Sequence, residues 1–264
     1  MSATNPVTVN EVSPRVLSRE LVLLLCVLAL VLMLALTALL SRLYHRKIHT
    51  LADAMFAQGE ADEQAKNFNA ALTDYRNALV YNPGNTRFQF HLAKALAAAG
   101  RDEEARSYLL NLLSESPGSG EVNLELARIA GHINSMADAL RYYQSAIYGE
   151  WNADPIGMRW QVRRELCQFL LDRGAVKQAA PEVIALAENT PSDNLPRQKI
   201  VAQLLLSTQQ WTRALDWYRS LPAADRNDEE LQADAAEAAF QLGQYVTAME
   251  FFDRVPRERR DQPD

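Results

Sequence analysis

Residues 67–85 read NFNAALTDYRNALVYNPGN, and residues 100–119 read GRDEEARSYLLNLLSESPGS. The two stretches share one pattern at a spacing of 34 residues, with Ala105 in register with Ala71 and a proline in register near each end. A fixed internal period of this length is typical of a chain that uses one supersecondary unit several times. The fold therefore depends on what a single unit contains.

Each unit is predicted to be two helices joined by a turn. In the first unit, apolar side chains between residues 68 and 79 recur three or four positions apart, so they share one helix face. Residues 83–85, Pro-Gly-Asn, then predict a turn. A preceding helix is predicted through residues 55–62, and residues 50–53 resemble a capping box that would begin it.

The recurring small, aromatic and proline positions resemble those of the tetratricopeptide repeat, a family of helix-turn-helix units. The resemblance extends over about residues 51–256 and implies an all-α fold, a right-handed α-solenoid of about six repeats. The matching residues, copy by copy, are Gly59, Phe68, Ala71, Tyr75, Ala78 and Pro83; Leu92, Ala93, Gly100, Ala105, Leu109, Leu112 and Pro117; Leu126, Ala127, Ala139, Tyr143 and Ala146; Leu166, Gly174, Ala179, Val183 and Pro191; Ala202, Trp211, Ala214 and Tyr218; and Ala236, Gly243, Tyr245, Ala248 and Phe252.

One segment interrupts the period. The sequence YGEWNADPIG, residues 148–157, displaces the fourth copy by six residues and places Trp151 and Trp160 close together. These tryptophans either form an exposed partner site or fill an enlarged gap between copies three and four. Copies five and six end early, so their second helices should be about a turn short. The predicted repeats span residues 52–85, 86–119, 120–153, 160–193, 195–228 and 229–256.

A long apolar run lies near the N-terminus. Residues 21–40, LVLLLCVLALVLMLALTALL, contain no charged side chain. As a helix this run would extend about 30 Å, the thickness of the hydrocarbon layer of a bilayer. We predict an uncleaved transmembrane anchor. The predicted organisation is an N-terminal arm (1–20), the anchor in contact with lipid (21–41), a basic juxtamembrane segment (42–50), the solenoid (51–256) and a polar tail (257–264).

The charges that flank the apolar run bear on its orientation. Arg15 and Arg19 precede it, whereas Arg42, Arg46 and Lys47 follow it. Because Lys and Arg are enriched on the cytoplasmic side, this count favours a single-pass protein of the bacterial cytoplasmic membrane with its repeats in the cytoplasm, although the opposite orientation stays open. The run has no pair of glycines at small-xxx-small spacing, so it gives no indication of oligomeric state.

Composition and motifs argue against several classes of function. The chain has 27 Lys and Arg against 33 Asp and Glu, and this acidic balance argues against nucleic acid as a partner. We find no glycine-rich phosphate loop, zinc-binding His motif, paired cysteines or glycine-flanked serine nucleophile. We therefore predict that the protein is not an enzyme and has no catalytic, cofactor-binding or metal-binding residue, and no cofactor.

The resemblance also implies a concave groove, lined by the first helix of each repeat, that holds an extended peptide or a helix. Five of the groove-facing residues are cationic, which predicts a preference for acidic or C-terminal-carboxylate peptides. Phe90 would serve as an apolar anchor. The positions carried over by register are Arg87, Phe90, His91, Lys94, Leu124, Arg128, Arg164, Gln168, Lys199 and Gln203.

The function predicted from these features is a membrane-anchored scaffold or adaptor for other proteins. An alternative is a repeat protein that supports the synthesis or export of an envelope polysaccharide. The two hypotheses differ in whether the repeats bind protein or glycan.

Overall fold

The computed structural model of the protein describes residues 19–255. The predicted N-terminal arm lies outside this range except for its last two residues, and the predicted polar tail lies wholly outside it. Residues 19–255 form twelve α-helices and a short 3₁₀ helix, Asp225–Asn227, and contain no strand. The helices are α1 (Arg19–Gln64), α2 (Phe68–Tyr81), α3 (Thr86–Ala98), α4 (Asp102–Glu115), α5 (Gly120–His132), α6 (Met136–Ile147), α7 (Pro155–Asp172), α8 (Val176–Glu188), α9 (Leu195–Ser207), α10 (Trp211–Ser220), α11 (Glu229–Gln241) and α12 (Tyr245–Phe252).

Successive helices pack in pairs, and each pair packs on the next. The second half of α1 pairs with α2, α3 with α4, and so on to α11 with α12, while α3 contacts α5 and α9 contacts α11. Since one pair cannot bury both of its apolar faces, the stack is what builds a continuous core. The predicted all-α solenoid is confirmed.

The turn inside each pair has a common backbone feature. In every pair, the second residue after the end of the first helix adopts a positive φ. Three of these six residues are not glycine. A residue in this left-handed conformation ends a helix and lets the chain reverse. The six residues are Lys66, Gly100, Asn134, Gly174, Gln209 and Gly243.

Helix α1 is continuous for 46 residues. The predicted capping box at residues 50–53 is wrong, because Thr50 lies inside α1 and its hydroxyl donates to the backbone carbonyl of Lys47. A threonine within a helix satisfies its hydroxyl in this way without starting a new helix. The predicted anchor, the juxtamembrane segment and the first helix of the solenoid are therefore parts of one helix.

The two halves of α1 have different surroundings. Side chains of residues 21–40 are all exposed, whereas Ala52 and Phe56 are buried in the first repeat. Within the described part of the chain, α1 is the one helix that is long and apolar enough to cross a membrane.

The core consists of two clusters that meet at α7. The first core cluster extends from Ala52 to Ala179, and the second core cluster from Trp160 to Ala248. Helix α7 contributes Leu166 to the first cluster and Cys167 to the second. Because α7 has apolar side chains on opposite faces, it is buried between the two halves of the solenoid.

The interrupting segment is part of this core. Trp151 is buried and donates its indole N–H to the carbonyl of Ala146 at 3.0 Å. Its ring lies where a side chain at position 120 would be, since a Cβ built on Gly120 would approach the indole to 2.4 Å. Trp160 is also buried and donates to the hydroxyl of Thr190 at 2.8 Å. Of the two alternatives, the tryptophans fill the gap.

Helix α7 starts earlier than predicted, and the second helices of the last two pairs are short. Helix α7 begins at Pro155, before the predicted start of the fourth repeat at residue 160, because the Asp154 carboxylate accepts from the N–H of Gly157 and caps the helix there. Helices α10 and α12 have 10 and 8 residues, against 14 in α2 and α4. The short second helices of the last two copies are as expected.

Candidate binding groove

A cavity of about 690 Å³ opens between the N-terminal ends of α3 and α5. The phenyl ring of Phe90 and the side chains of Leu112 and Val122 supply apolar surface, and Glu121 and Glu150 supply charge. Phe90 is only half-buried, so its ring is accessible from the cavity. The cavity has the size and mixed character of a site that holds part of a ligand.

Three of the predicted groove residues, Arg87, Phe90 and His91, lie in the wall of this cavity. The Arg87 guanidinium lies 4.5 Å from the centroid of the Phe56 ring and pairs with Glu60 at 2.9 Å. The Phe56 ring in turn stacks on Phe88 at 4.6 Å. Arg87 is thus held by α1 as well as by its own helix.

Lys94, one turn further along α3, belongs to a charge cluster around Glu63 of α1. The Glu63 carboxylate receives the Lys94 ammonium at 3.2 Å and the Tyr75 hydroxyl at 2.6 Å, and His91 Nδ1 lies 3.7 Å away. His91, Tyr75 and Lys94 together lower the pKa of Glu63 from its usual 4.5 to about 2, although partial burial acts in the opposite direction. We call these four residues the Glu63 cluster.

A second cluster joins α5 to α7. The guanidinium of Arg128 makes a two-point contact with Glu165, at 2.7 and 2.8 Å, and also donates to Glu125 at 2.9 Å. The Tyr143 hydroxyl donates to Glu165 at 3.0 Å. Burial raises the pKa of Glu125, whereas the hydrogen bond to Glu165 raises the pKa of Arg128. For Glu165, burial would raise the pKa, but Arg128 outweighs it and the pKa is lowered.

A third set of ion pairs joins α9 to α11. The Lys199 ammonium lies 2.7 Å from Asp228 and 3.0 Å from Glu230. Asp228 is also the N-cap of α11, where its carboxylate accepts from the N–H groups of Glu230 and Leu231. Four of the five predicted groove cations are therefore paired with carboxylates of a neighbouring first helix or its cap.

The remaining predicted residues differ in accessibility. Leu124 is 6% exposed and belongs to the first core cluster, so it contributes to packing and not to a contact surface. Gln203 and Gln168 are exposed, and Gln168 donates to Asp172 at 2.7 Å. Arg164 is exposed and makes no ion pair within residues 19–255, although its charge contributes to the lowered pKa of Glu165.

Sequence reasoning did not identify the acidic partners of the groove cations. Glu63 and Glu165 each accept from a tyrosine of the adjacent second helix, and these tyrosines occupy the same register 68 residues apart. Leu109 stands at the intervening position and has no hydroxyl. The sequence signal for these acidic partners is that copies one and three have a tyrosine where copy two has a leucine.

Within the described residues, no group of three His, Cys, Asp or Glu side chains is placed to hold a metal ion. Burial raises the pKa of the Cys167 thiol to about 12, so it stays protonated at neutral pH. The Glu63 cluster and the contacts of Arg128 with Glu165 hold neighbouring helices together.

Helix pairs stacked in this way form an α-solenoid, and comparison with known proteins finds tetratricopeptide repeats in two parts of the chain. Two sequence models, both described as tetratricopeptide repeat, match residues 56–120 and 205–264. A comparison with curated proteins found no match. Tetratricopeptide repeats are thus present in these two parts of the chain, in agreement with the resemblance.

Solved structures support the same fold. PilW, described as a widely conserved type IV pilus biogenesis factor, is 16% identical with a TM-score of 0.51, over 76% of this chain and 90% of that chain. A tetratricopeptide repeat protein from Parabacteroides merdae is 13% identical with a TM-score of 0.50, over 78% and 81%. Yeast Tom70 is 17% identical with a TM-score of 0.50, over 81% of this chain and 41% of that chain. At these identities the likeness concerns the fold alone.

Proposed function

We propose that the protein is a membrane-anchored scaffold that holds a partner protein in the groove between α3 and α5. The observation that carries this proposal is the continuity of α1. One end of α1 exposes an apolar surface over residues 21–40, and the other end is a core helix of the solenoid. An element with these two ends connects a lipid phase to a protein-binding surface.

Physical chemistry supports an anchor over a removable leader. Apolar area costs about 25 cal/mol per Å² when it stays in water, so residues 21–40 are stable only in contact with lipid or other apolar material. A leader is separated from the folded part by a cleavage site, whereas α1 passes without a break into the helix that buries Ala52 and Phe56. We propose contact with the bilayer over residues 21–41.

The proposed orientation places the solenoid on the cytoplasmic side of a bacterial cytoplasmic membrane. Arg42, Arg46 and Lys47 lie on α1 immediately after the apolar residues, where lipid headgroups begin. Positive charge in this position is retained on the cytoplasmic side during insertion.

The groove geometry refines the type of partner. We propose that an apolar side chain of the partner contacts Phe90 in the cavity. An acidic side chain would contact Arg164, because Arg87, Lys94, Arg128 and Lys199 already have carboxylate partners. Displacing those carboxylates would cost the partner as much as it gained.

Membrane attachment is tested by fractionating cells that express the full chain and a variant lacking residues 21–40. The full chain should stay in the membrane pellet at alkaline pH, and the variant should be soluble. Protease added from the periplasmic side should leave the repeats intact. A full chain that is released at alkaline pH, or processed after residue 40, would contradict the anchor, and digestion from the periplasmic side would reverse the orientation.

Groove binding is tested by photo-crosslinking from position 90 in cells, with position 80 as the control. Val80 is an exposed apolar residue of α2 outside the cavity. The proposal expects a defined crosslinked protein from position 90 alone, and expects Arg164→Glu to weaken that crosslink severalfold. Equal crosslinking from both positions, or an unaltered product in Arg164→Glu, would sink the proposed site.

A further inference from the structure

A pocket of about 430 Å³ lies between the C-terminal ends of α6 and α8, beside the first half of α7. Two arginines of α7, Arg159 and Arg163, line it, and no acidic side chain among the described residues does. Tyr148 and Ile156 also line it, and since each is 74% exposed they lie at its mouth. This pocket, which we call the α6–α8 pocket, shares no residue with the cavity between α3 and α5.

Repeat register shows that Arg159 stands where other copies have a helix cap. Helices α3, α5, α9 and α11 have 13 residues each, whereas α7 has 18 because it begins five residues earlier in the repeat. Position 159 corresponds to the N-cap of those four helices, whose side chain accepts from a backbone N–H of the first turn. The four caps are Asn85, Ser119, Asn194 and Asp228.

Arg163 likewise replaces a side chain that has a structural contact in the same four copies. There an amide donates to the backbone carbonyl six residues earlier, in the loop before the helix. In α7 the residue six positions before Arg163 is Gly157, which is already inside the helix. Neither arginine therefore makes the contact that its counterparts make. The four amides are Gln89, Asn123, Gln198 and Gln232.

The contacts of the two arginines leave positive charge in the pocket. Arg163 Nε is buried 3.3 Å from the Glu182 carboxylate, but it makes no hydrogen bond within residues 19–255. Glu182 also accepts from the Gln144 amide at 2.7 Å. Arg159 is exposed, forms no ion pair within the described residues, and donates to the carbonyl of Gly149 at 3.3 Å. Two guanidinium groups thus face the single carboxylate of Glu182.

We infer that the α6–α8 pocket binds an acidic side chain of a partner protein, with a neighbouring apolar side chain against Tyr148 and Ile156. A guanidinium matches a carboxylate with two parallel N–H donors. The ligand need not displace Glu182, because Arg159 has no carboxylate partner in the described chain. The one unbalanced positive charge favours a carboxylate over a phosphate group, which carries nearly two negative charges. This inference does not rest on the proposed function.

The test is peptide binding to the full chain in detergent, measured by fluorescence anisotropy. The probe is a pool of short labelled peptides with blocked ends and a central Asp or Glu between Leu, Ile, Val or Phe. A second pool has Asn or Gln at the centre and is otherwise identical. The acidic pool should bind about tenfold more tightly than the amide pool, because only a carboxylate makes charge-assisted hydrogen bonds with arginine.

Three variants assign this binding to the pocket. Arg159→Gln should raise the dissociation constant of the acidic pool about tenfold, whereas Arg159→Lys should raise it less, since an ammonium keeps the charge but not the two-point contact. Arg213→Gln is the matched control and should bind like the wild type. Arg213 is an exposed arginine in the next pocket along, between α8 and α10, where Glu188 and Asp216 also line the wall. Thermal unfolding verifies that each variant is folded.

Several results would overturn the inference. Equal binding of the two pools by the wild-type chain would show that the carboxylate is not recognised. Equal losses in Arg159→Gln and Arg213→Gln would show a general effect of charge and not a site. Binding that is lost in Arg164→Glu but kept in Arg159→Gln would place the peptide in the groove of the proposed function, which would then stand without the α6–α8 pocket.

Discussion

The Glu63 carboxylate has three partners on two helices, and it is the most strongly perturbed acid among the groove residues. Glu63→Gln should lower the free energy of unfolding by about 1–2 kcal/mol at pH 7, because the charge-assisted contacts with Lys94 and Tyr75 weaken. Thermal unfolding of the full chain measures this difference. Glu60→Gln is the control, since Glu60 pairs with the largely exposed Arg87 and should change stability by less than about 1 kcal/mol.

The lowered pKa of Glu63 also predicts how the stability of the fold changes at acid pH. Because the folded pKa of Glu63 lies below its usual 4.5, its ionised form stabilises the fold above pH 4.5, and this contribution is lost as the pH falls towards 2. The difference between wild type and Glu63→Gln should therefore shrink over that interval. A difference that stays constant down to pH 2 would show that Glu63 acts through packing and not through charge.

Within single elements, Pro181 destabilises helix α8. Pro181 lies inside Val176–Glu188 and has no N–H to donate to the carbonyl four residues earlier. Pro181→Ala should raise the free energy of unfolding by about 1–3 kcal/mol. Pro155→Ala, at the first position of α7, should change little because that N–H needs no helical partner. Equal shifts in the two variants would contradict this explanation.

The helices also show how much of the fold could be predicted from the sequence. The register of Ala71, Ala105 and Ala139 predicted the stack, and all three are buried. The pairing of Arg128 with Glu165 was not predictable from register alone, because the acid lies 37 residues away on a helix that starts early. Local patterns can also mislead. Residues 50–53 resemble a capping box, but Thr50 lies inside α1, where no helix begins and no cap is needed.

In the whole molecule, the two core clusters predict that a destabilising substitution in one cluster affects mainly the helices of that cluster. Leu109→Ala leaves a cavity in the first core cluster and should cost about 2–5 kcal/mol. Hydrogen exchange of the full chain should then accelerate in α3 to α6 and change little in α9 to α11, because contacts in a solenoid are with neighbours. Leu205→Ala, in the second core cluster, should give the converse pattern. Uniform acceleration in either variant would mean that the stack unfolds as one unit.

The unbroken helix α1 makes the direction in which the groove faces a matter of helical phase. Each residue inserted between positions 47 and 48 would rotate the solenoid about the axis of α1 by about 100° and raise it by about 1.5 Å. One added alanine should therefore abolish crosslinking from position 90 to a partner fixed in the same membrane. Seven added alanines, close to two full turns, should restore the azimuth and with it the crosslink, at a height about 10 Å further from the bilayer.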